Sequence, residues 1–538
     1  MLDSAKDILE ATSKVANEKH TFTSTWQDIA DNLVGRRTFT TSWQPGENRM
    51  KQLYDTTALM SGNMLAGAVN GILVSPATRW RRITVDPEEL RQIEEVDLWC
   101  DYADNRLEYV LSDSRFGFAQ AASEALLEIV FFGTMSTYVE DLAGHGPLFT
   151  AVPLQQLDVD VSMYGKPERT FRTYKCKARH ILERWGPVSK LRVQSELEKD
   201  PEAEWDITQC CHPSREADNP KSSREFRCVY VLAERELVLS ETGFFTNPWQ
   251  VARWDTDPGE TYGRCPGFTA LSDAKMLNRM KESIIKVAER NAEPPVLAPH
   301  ELVMGGVNLE PNAMNYYEPG LFTSDAVRPF MNQGDTGLSI EMLTNTQNSV
   351  RTHFLNHLIQ VPTSPEMSAA QFAGIEEAVS RLLVPQLSRI TNEWIDPLLT
   401  RTLDIMERSG MIPRRPEILR NKNVNVRVEY LSPAIRAQKI TEARAVVGAF
   451  SDLGPIAAQR PDVFDNYDAD FAAQTIASAH GVDPRMQRSA QFVQQVREMR
   501  AQQQQEAQEA QQMKEGIDQV SKLAPMLEQG MTDEQAVA

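Results

Sequence analysis

Apolar residues recur at helical spacing near the start of the chain, where Phe22, Trp26, Ile29 and Leu33 share one stripe. A second stripe of Met64, Leu65, Ala68, Val69 and Ile72 predicts a helix over Thr57–Leu73. It stops before Ser75-Pro76, because a residue preceding proline disfavours helical backbone. Further helices are predicted over Pro87–Ser112 and Ala119–Val130, the latter ending near Gly133. The pattern then shortens to strands, Met135–Glu140, Leu148–Val152 and Leu157–Ser162, each bounded by Gly or Pro. Phe226, Cys228, Tyr230 and Leu232 alternate with more polar neighbours, which is strand periodicity. Between these stretches, Asp200–Ser223 is polar and turn-rich and reads as a surface loop or insertion.

Helices return after Pro266, with Ser272 as an N-cap and Leu277, Ile284, Ile285 and Ala288 as the buried stripe. Glu293-Pro294-Pro295 ends that helix. The breakers between Pro294 and Gly334 predict a compact module of turns and short strands. A second helix, Gly337–Leu358, carries Leu343, Val350, Phe354 and Leu358 on one side, so two helices flank one small module. Ser368 and Gln371 have capping-box spacing. The helix they open runs through Phe372, Ile375, Val379, Leu382, Leu383, Leu387, Ile390, Trp394 and Leu398 to Gly410 and Pro413. At roughly forty residues it far exceeds the average of about 11–12. Pro385 and Pro397 lie inside it and predict kinks or a break. A strand over Val424–Tyr430 and helices over Pro433–His480 follow. The tail from Asp483 is rich in Gln and Ala, with helical spacing at Phe492, Val496 and Met499 and again at Ile517, Val520, Leu523 and Leu527. A long exposed helix, a weak coil with copies of itself and disorder are the three readings of the Gln/Glu/Ala run from Ala501 to Gln512; its helix-forming composition favours helix.

Length and charge narrow the function. A chain of 538 residues implies two to four domains. Its formal net charge of -19 argues against a protein that coats itself with nucleic acid; DNA, if a partner, is guided rather than gripped. Cys100, Cys176, Cys210, Cys211, Cys228 and Cys265 are scattered, so no disulfide framework is needed and folding in a reducing cytoplasm is expected. No apolar segment follows a basic start, which argues against a signal peptide. The longest apolar stretches, Met60–Val74 and Ala125–Phe132, fall short of the ~18 residues of a membrane span, so no membrane partner is expected.

Catalytic motifs are missing. Gly165-Lys166 is followed by Pro167 rather than closing a phosphate loop, and neither a zinc helix nor a nucleophile elbow occurs. Cys210-Cys211-His212 lacks metal-ligand spacing and reads as a loop or strand end. Asp465, Asp468 and Asp470 lack the glycine and closing Glu of a calcium loop and read as a solvated helix junction. His353 and His357 sit four apart on a helix without a third ligand and read as a packed or exposed pair. Neither an enzyme nor a cofactor or metal site is expected. For Tyr316-Tyr317, an interface anchor and simple packing stand level.

One series of strings runs Leu53-Tyr54-Asp55-Thr56-Thr57-Ala58, Leu65-Ala66-Gly67, Gly71-Ile72-Leu73, Ser75-Pro76, Arg79-Trp80 and Phe132-Gly133-Thr134. Asn247-Pro248-Trp249, Arg253-Trp254, Gly259-Glu260, Tyr262-Gly263-Arg264, Pro266-Gly267, Ala270-Leu271 and Leu277-Asn278 follow. Glu429-Tyr430, Ser432-Pro433 and Arg436-Ala437-Gln438 close the set, which covers roughly residues 50 to 440. In this order the strings resemble the head-to-tail connector (portal protein) family of short-tailed, podovirus-type bacteriophages. The start of the long helix, Met367-Ser368-Ala369-Ala370-Gln371-Phe372 after Pro362-Thr363, departs from the family's usual Thr-Ala-Thr-Glu-Val-like string.

The resemblance implies an α+β, predominantly helical portal fold with wing, stem, clip and crown and a helical C-terminal extension. Residues 1–265 would be the wing, helices first and then a strand-rich part. Residues 266–292 and 336–358 would be stem helices around a clip at 293–335. Residues 359–432 would hold a tunnel loop, the long kinked wing helix and a strand; 433–482 the crown; 483–538 a Gln-rich helical barrel or tail. The family implies a dodecameric ring at a capsid vertex of the virion, made in the host bacterial cytoplasm. Its partners would be double-stranded DNA in the channel, the terminase large subunit that supplies ATP hydrolysis, a tail adaptor protein, and the major capsid and scaffolding proteins. DNA-channel candidates are Lys275, Arg279, Lys286, Gln360, Thr363 and Ser364; clip partner-binding candidates are Tyr316, Tyr317, Phe322 and Arg328. Positions 275, 279 and 286 share a helix face and Lys281 is turned away; pairing of these cations with acids of a neighbouring subunit is the competing reading. A coiled-coil scaffolding or internal head protein is the alternative function, favoured by the tail but not by the strand-rich middle. A DNA-processing enzyme would need clustered carboxylates for metal ions, and the acids here are dispersed.

Overall fold

The computed structural model describes residues 4–35, 38–40, 53–74, 80–87, 90, 93–142, 146–186, 193–214, 224–292, 296–297, 328–329, 336–359, 383–420, 425–430, 443–453, 455, 467–479, 492–493, 495–500 and 502–503. They belong to two compact units, one drawn from residues 1–90 and 102–438, the other from 91–101 and 439–538. The fold is α+β.

In the first unit, α1 (Ala5–Ile29) opens at Ser4. The Ser4 hydroxyl accepts from the Asp7 N–H and the Asp7 carboxylate accepts from the Ser4 N–H, a complete capping box. The helix runs into a π turn, Ala30–Val34, which Gly35 closes at φ 67. Next come α2 (Thr57–Leu73), β1 (Arg81–Asp86), α3 (Glu94–Ser112) and α4 (Phe118–Phe132). α3 begins at Glu94, not at Pro87, and the division between the two units falls within it. Ten of the fifteen residues of α4 are buried, including the whole run Glu128–Phe132, while Ala119, Gln120, Ser123 and Glu124 keep one face of its first half exposed. It packs against α2 closely: a Cβ on Gly62 would stand 2.2 Å from the Phe131 ring.

Three antiparallel sheets follow from β2 (Thr134–Leu142), β3 (Gly146–Ala151), β4 (Leu157–Val161), β5 (Pro167–Lys177), β6 (Glu204–Pro213), β7 (Phe226–Leu232), β8 (Leu237–Phe244), β9 (Trp249–Arg253) and, much later, β12 (Asn425–Tyr430). The largest has the order β4-β5-β6-β7-β8, the next β3-β2-β9, and β1 pairs with β12. Two short helices, α5 (Ala178–Trp185) and α6 (Gln194–Lys199), lie between β5 and β6. The expected loop over Asp200–Ser223 is corrected: its first half is β6, hydrogen-bonded on both sides inside the five-stranded sheet. Polar residues hid it: Thr208, Gln209 and His212 interrupt the pattern although residues 207–212 are all buried, and the face that carries Cys210 meets an apolar core. On that face Phe171, Cys210, Val229 and Val231 pack against Ala5, Ile8 and Val15 of α1. The opposite face carries polar partners, with Gln209 Nε2 donating to the Tyr230 hydroxyl at 3.0 Å.

α7 (Pro266–Ala292) starts a turn and a half before the expected Ser272 cap, which is therefore interior. Pro at the first helical position fits, since its missing N–H has no helical partner there. β10 (Val296–Leu297) and β11 (Arg328–Pro329) pair antiparallel, and α8 (Thr336–His353) returns alongside α7. The expected single helix to Leu358 is broken. Leu355 takes a left-handed φ of 56, and a new turn, α9 (Asn356–Ile359), begins after it. His353 and His357 are consequently not two ligands on one helical face. The long helix is described from Leu383. It converts to a π turn over Thr391–Ile395 and resumes as α10 (Asp396–Arg408), with Gly410 at φ 73 behind it. Pro397 has no N–H to offer the carbonyl four residues earlier, so the disruption expected there takes the form of a π turn. Ser368, Gln371 and the rest of that helix's predicted start lie outside the described residues.

In the second unit, Asp468 caps α11 (Ala469–Ala479) by accepting from the Asp470 and Phe471 N–H groups. Asp470 in turn accepts two hydrogen bonds from Arg497, at 2.6 and 2.7 Å. Those two aspartates are helix-end residues; Asp465 lies outside the described residues. The tail beyond residue 503 is also outside them.

Candidate functional site

The two long antiparallel helices α7 and α8 are joined by a small set of polar contacts. Asp273 of α7 accepts from the Ser349 hydroxyl at 2.6 Å, and His353 Nε2 lies 3.1 Å from the same carboxylate. Nearer the N-terminal segment, Asp55 is the hub. Its side chain is 2% exposed. It accepts from the Thr57 N–H at 2.7 Å, Lys281 Nζ at 3.2 Å and Gln347 Nε2 at 2.9 Å. Its own N–H donates to Asn278 Oδ1, and Asn278 Nδ2 donates to the Asn32 carbonyl. Burial pushes the Asp55 carboxyl up, but the hydrogen bonds from Thr57, Gln347 and Lys281 outweigh it and hold the group below the ordinary carboxylate range.

The candidate channel cations on α7 divide. Lys275 Nζ reaches Asp28 of α1 at 2.6 Å. Lys286 pairs with Glu282 one turn away, also at 2.6 Å. Lys281, expected on the other face, points into the chain at Asp55. Arg279 is exposed and makes no ion pair with another described residue. Three of these four cations are thus neutralised within their own chain. Asp28 and Asp55 went unremarked as partners because they lie more than two hundred residues from these cations in the sequence. Gln360, Thr363 and Ser364 lie outside the described residues, as do Tyr316, Tyr317 and Phe322. Arg328 sits in β11, opposite Leu297.

The strings that carry the resemblance meet in pairs. Asp55 meets Asn278, as above. Phe132-Gly133-Thr134 meets the Gly259–Arg264 turn: Thr134 Oγ1 accepts from the Gly263 N–H at 2.9 Å. A Cβ on Gly133 would stand 2.1 Å from the Gly263 carbonyl oxygen, and one on Gly263 would stand 2.2 Å from the Gly133 oxygen. Trp80 faces Tyr430 with ring centroids 6.2 Å apart, beside the β1–β12 ladder. Arg253 clamps the π turn: its backbone N–H and Nε donate to Glu393 Oε2 at 3.0 and 3.2 Å, and Nη2 donates to Oε1 at 2.6 Å. Nη2 also donates to the Gly165 carbonyl of the β4–β5 turn at 2.8 Å. These are junctions of the fold, and their chemistry is that of packing and positioning.

Among the described residues no group of three His, Cys, Asp or Glu is placed to hold a metal ion. No helix among them is long and apolar enough to cross a membrane. A groove of about 630 Å³ runs between α1 and the Gly259–Arg264 turn, lined in part by Glu18, Phe22, Glu260 and Tyr262. Its cation, Arg264, is paired with Glu260 and Asp257. Burial pushes the Tyr262 phenol up, and its oxygen accepts from the Val159 N–H, a structural role. Cys210-Cys211-His212 forms the end of β6, with His212 Nδ1 2.9 Å from the Pro213 carbonyl oxygen.

Comparison with known proteins gives this architecture a family. The portal protein of Salmonella phage epsilon15 is 24% identical over 491 residues, covering 89% of this chain and 87% of that protein. The probable portal protein of Bordetella phage BPP-1 is 25% identical over 500 residues, covering 89% and 88%. Among solved structures, a chain of the virion of the native gene transfer agent particle aligns at TM-score 0.37 and 11% identity, over 79% of this chain and 95% of that one. A chain from the neck of the empty gene transfer agent particle aligns at 0.37 and 12%, over 77% and 92%. A family model described as bacteriophage head to tail connecting protein matches residues 5–487, and the chain belongs to that family.

Proposed function

We propose that this chain is the portal subunit of a short-tailed phage, a ring-forming connector at one capsid vertex through which DNA passes. The observation that carries the reading is the family match over residues 5–487. The paired helices α7 and α8, enclosing residues 293–335, support it as a stem and clip. In this reading residues 1–265 and 359–432 form the wing, 433–482 the crown and 483–538 the tail or barrel. The ring is dodecameric, and the terminase large subunit, a tail adaptor and the capsid and scaffolding proteins dock on it. The protein acts as a passive conduit, with ATP hydrolysis left to the terminase. It resides at the portal vertex of the virion after synthesis in the host bacterial cytoplasm.

Charge fits a conduit. A net charge of -19 per chain keeps a phosphate backbone from sticking. Within the stem, Lys275, Lys281 and Lys286 are balanced by acids of the same chain, and of these candidate cations Arg279 is the one open to DNA or to a neighbouring subunit. Gln360, Thr363 and Ser364 are proposed for the tunnel loop, and Tyr316, Tyr317, Phe322 and Arg328 for the clip's partner surface.

Gold-labelled antibody against this chain, applied to purified virions and disrupted particles, tests the reading. Label at the tail-bearing vertex alone is expected. Label spread over all vertices, or confined to the shell interior, overturns it in favour of a capsid or internal head protein. Arg279→Glu locates the cation's role. Loss of DNA packaging with assembly intact supports contact with DNA, whereas failed assembly assigns Arg279 to the subunit interface.

A further inference from the structure

Cys211 of β6 and Cys228 of β7 are direct cross-strand neighbours. The ladder fixes which kind of pair they make. Just beyond it, the Ser214 N–H donates to the Glu225 carbonyl at 2.7 Å, so 214 and 225 are a hydrogen-bonded pair. Hydrogen-bonded and non-hydrogen-bonded pairs alternate along an antiparallel ladder. Pro213 and Phe226 are then a non-bonded pair, as they must be, since proline has no N–H to give. Continuing through His212 and Arg227, Cys211 and Cys228 are again non-bonded, with no register shift between them. Such pairs have Cα atoms about 4.5 Å apart and their side chains drawn together. A disulfide spans Cα separations of about 4.4–6.8 Å, so this pair is within its reach without backbone rearrangement.

The surroundings select this pair among the cysteines. Cys210 projects to the other face of β6, into the apolar cluster against α1, and cannot compete for Cys228. Interaction between the two thiols pushes Cys211 up and Cys228 down. Gln209 Nε2 also donates to the Cys228 sulfur at 3.4 Å.

We infer that Cys211 and Cys228 form a redox site, closing to a cross-strand disulfide when a small peroxide oxidant reaches the folded chain. Cys228, whose sulfur accepts from Gln209 Nε2, is the attacking sulfur in this step. That sulfur attacks the peroxide O–O bond, giving a Cys228 sulfenic acid and one water. The Cys211 thiol then displaces the sulfenic hydroxyl as a second water, and the S–S bond forms. Two thiols are oxidised and one peroxide is reduced to two waters. The chain folds with both thiols reduced, and the site closes in an oxidising medium such as that met by a released particle. The bond would clasp the loop end of the β6–β7 hairpin.

The test is peroxide treatment of the full-length protein under native conditions. Quenching and alkylation in denaturant follow, then peptide mass spectrometry with and without dithiothreitol. The expected result is loss of two of the six thiols, with a linked peptide pair containing Cys211 and Cys228 that dithiothreitol releases. Cys210→Ala should leave that linkage unchanged. Cys228→Ala should abolish it and leave Cys211 fully alkylated. Full alkylation of both residues after native peroxide treatment overturns the inference, as does linkage through Cys210 or Cys176 instead. Should Cys228→Ala fail to fold, Cys210→Ala and the wild-type mapping still decide the question.

Discussion

Replacing Glu393 by alanine would strand the guanidinium of Arg253 in the protein interior. The Arg253 side chain is 5% exposed and that of Glu393 15%, so the pair is screened from water. Glu393 receives three charge-assisted hydrogen bonds from one residue, and it is the contact through which the π turn of the long helix is held on β9. Removing one partner of a buried pair costs about 3–5 kcal/mol, chiefly through the uncompensated charge left behind. Glu393→Gln keeps an acceptor in place and loses only the charge, so its cost should fall nearer about 1–3 kcal/mol. The double replacement Arg253→Met with Glu393→Leu removes both charges and should recover most of the loss, giving a large favourable coupling in a double-mutant cycle. The assay combines urea unfolding with hydrogen exchange at the Arg253 amide, which donates directly to Glu393. Faster exchange at that amide should accompany a lower midpoint in Glu393→Ala. A Glu393→Ala protein within about 0.5 kcal/mol of wild type, with unchanged exchange at residue 253, would refute the reasoning.

Other consequences are equally open to measurement. Asp55 has a folded pKa below its ordinary value, so its stabilising contribution is present above the unfolded value near 3.8 and is lost as pH falls through the folded one. Asp55→Asn should therefore flatten the loss of stability below about pH 4, read as unfolding midpoints against pH. Gly133→Ala combines a φ of 83 with a Cβ 2.1 Å from the Gly263 oxygen and should cost at least about 2 kcal/mol in thermal or urea unfolding; a neutral result would disprove the close approach. Trp394→Phe removes the indole N–H that the Thr137 hydroxyl accepts at 3.0 Å in a fully buried site, leaving that hydroxyl only its bond to Gln250, and should cost about 1–3 kcal/mol in the same assay.

Much of the helical framework was legible because its periodicity is strong. The Thr57–Leu73 helix matches to the residue, and the Phe118–Phe132 helix to within two at each end. Strands whose buried positions include polar residues were harder to read. β6 hid as a loop because Thr208, Gln209 and His212 interrupt its apolar residues, and β5 was missed because its sequence is charged and aromatic by turns. Pro397 was informative, but which departure from α geometry it would produce depended on Trp394 and Ile395 being buried next to it. Leu355 illustrates a true limit. Nothing in a leucine signals a left-handed residue; it stands next to Phe354, which packs on Phe131. The site residues were legible only in half. The α7 cations could be named from helical spacing, whereas Asp28 and Asp55 lie more than two hundred residues away in the sequence.

The central claim, that this chain builds a connector ring, is tested most directly by imaging the purified full-length protein in negative stain and weighing the same sample by native mass spectrometry. The account predicts closed rings with a central channel, at twelve subunits or a neighbouring number. A protein that stays a monomer or dimer at high concentration would contradict it.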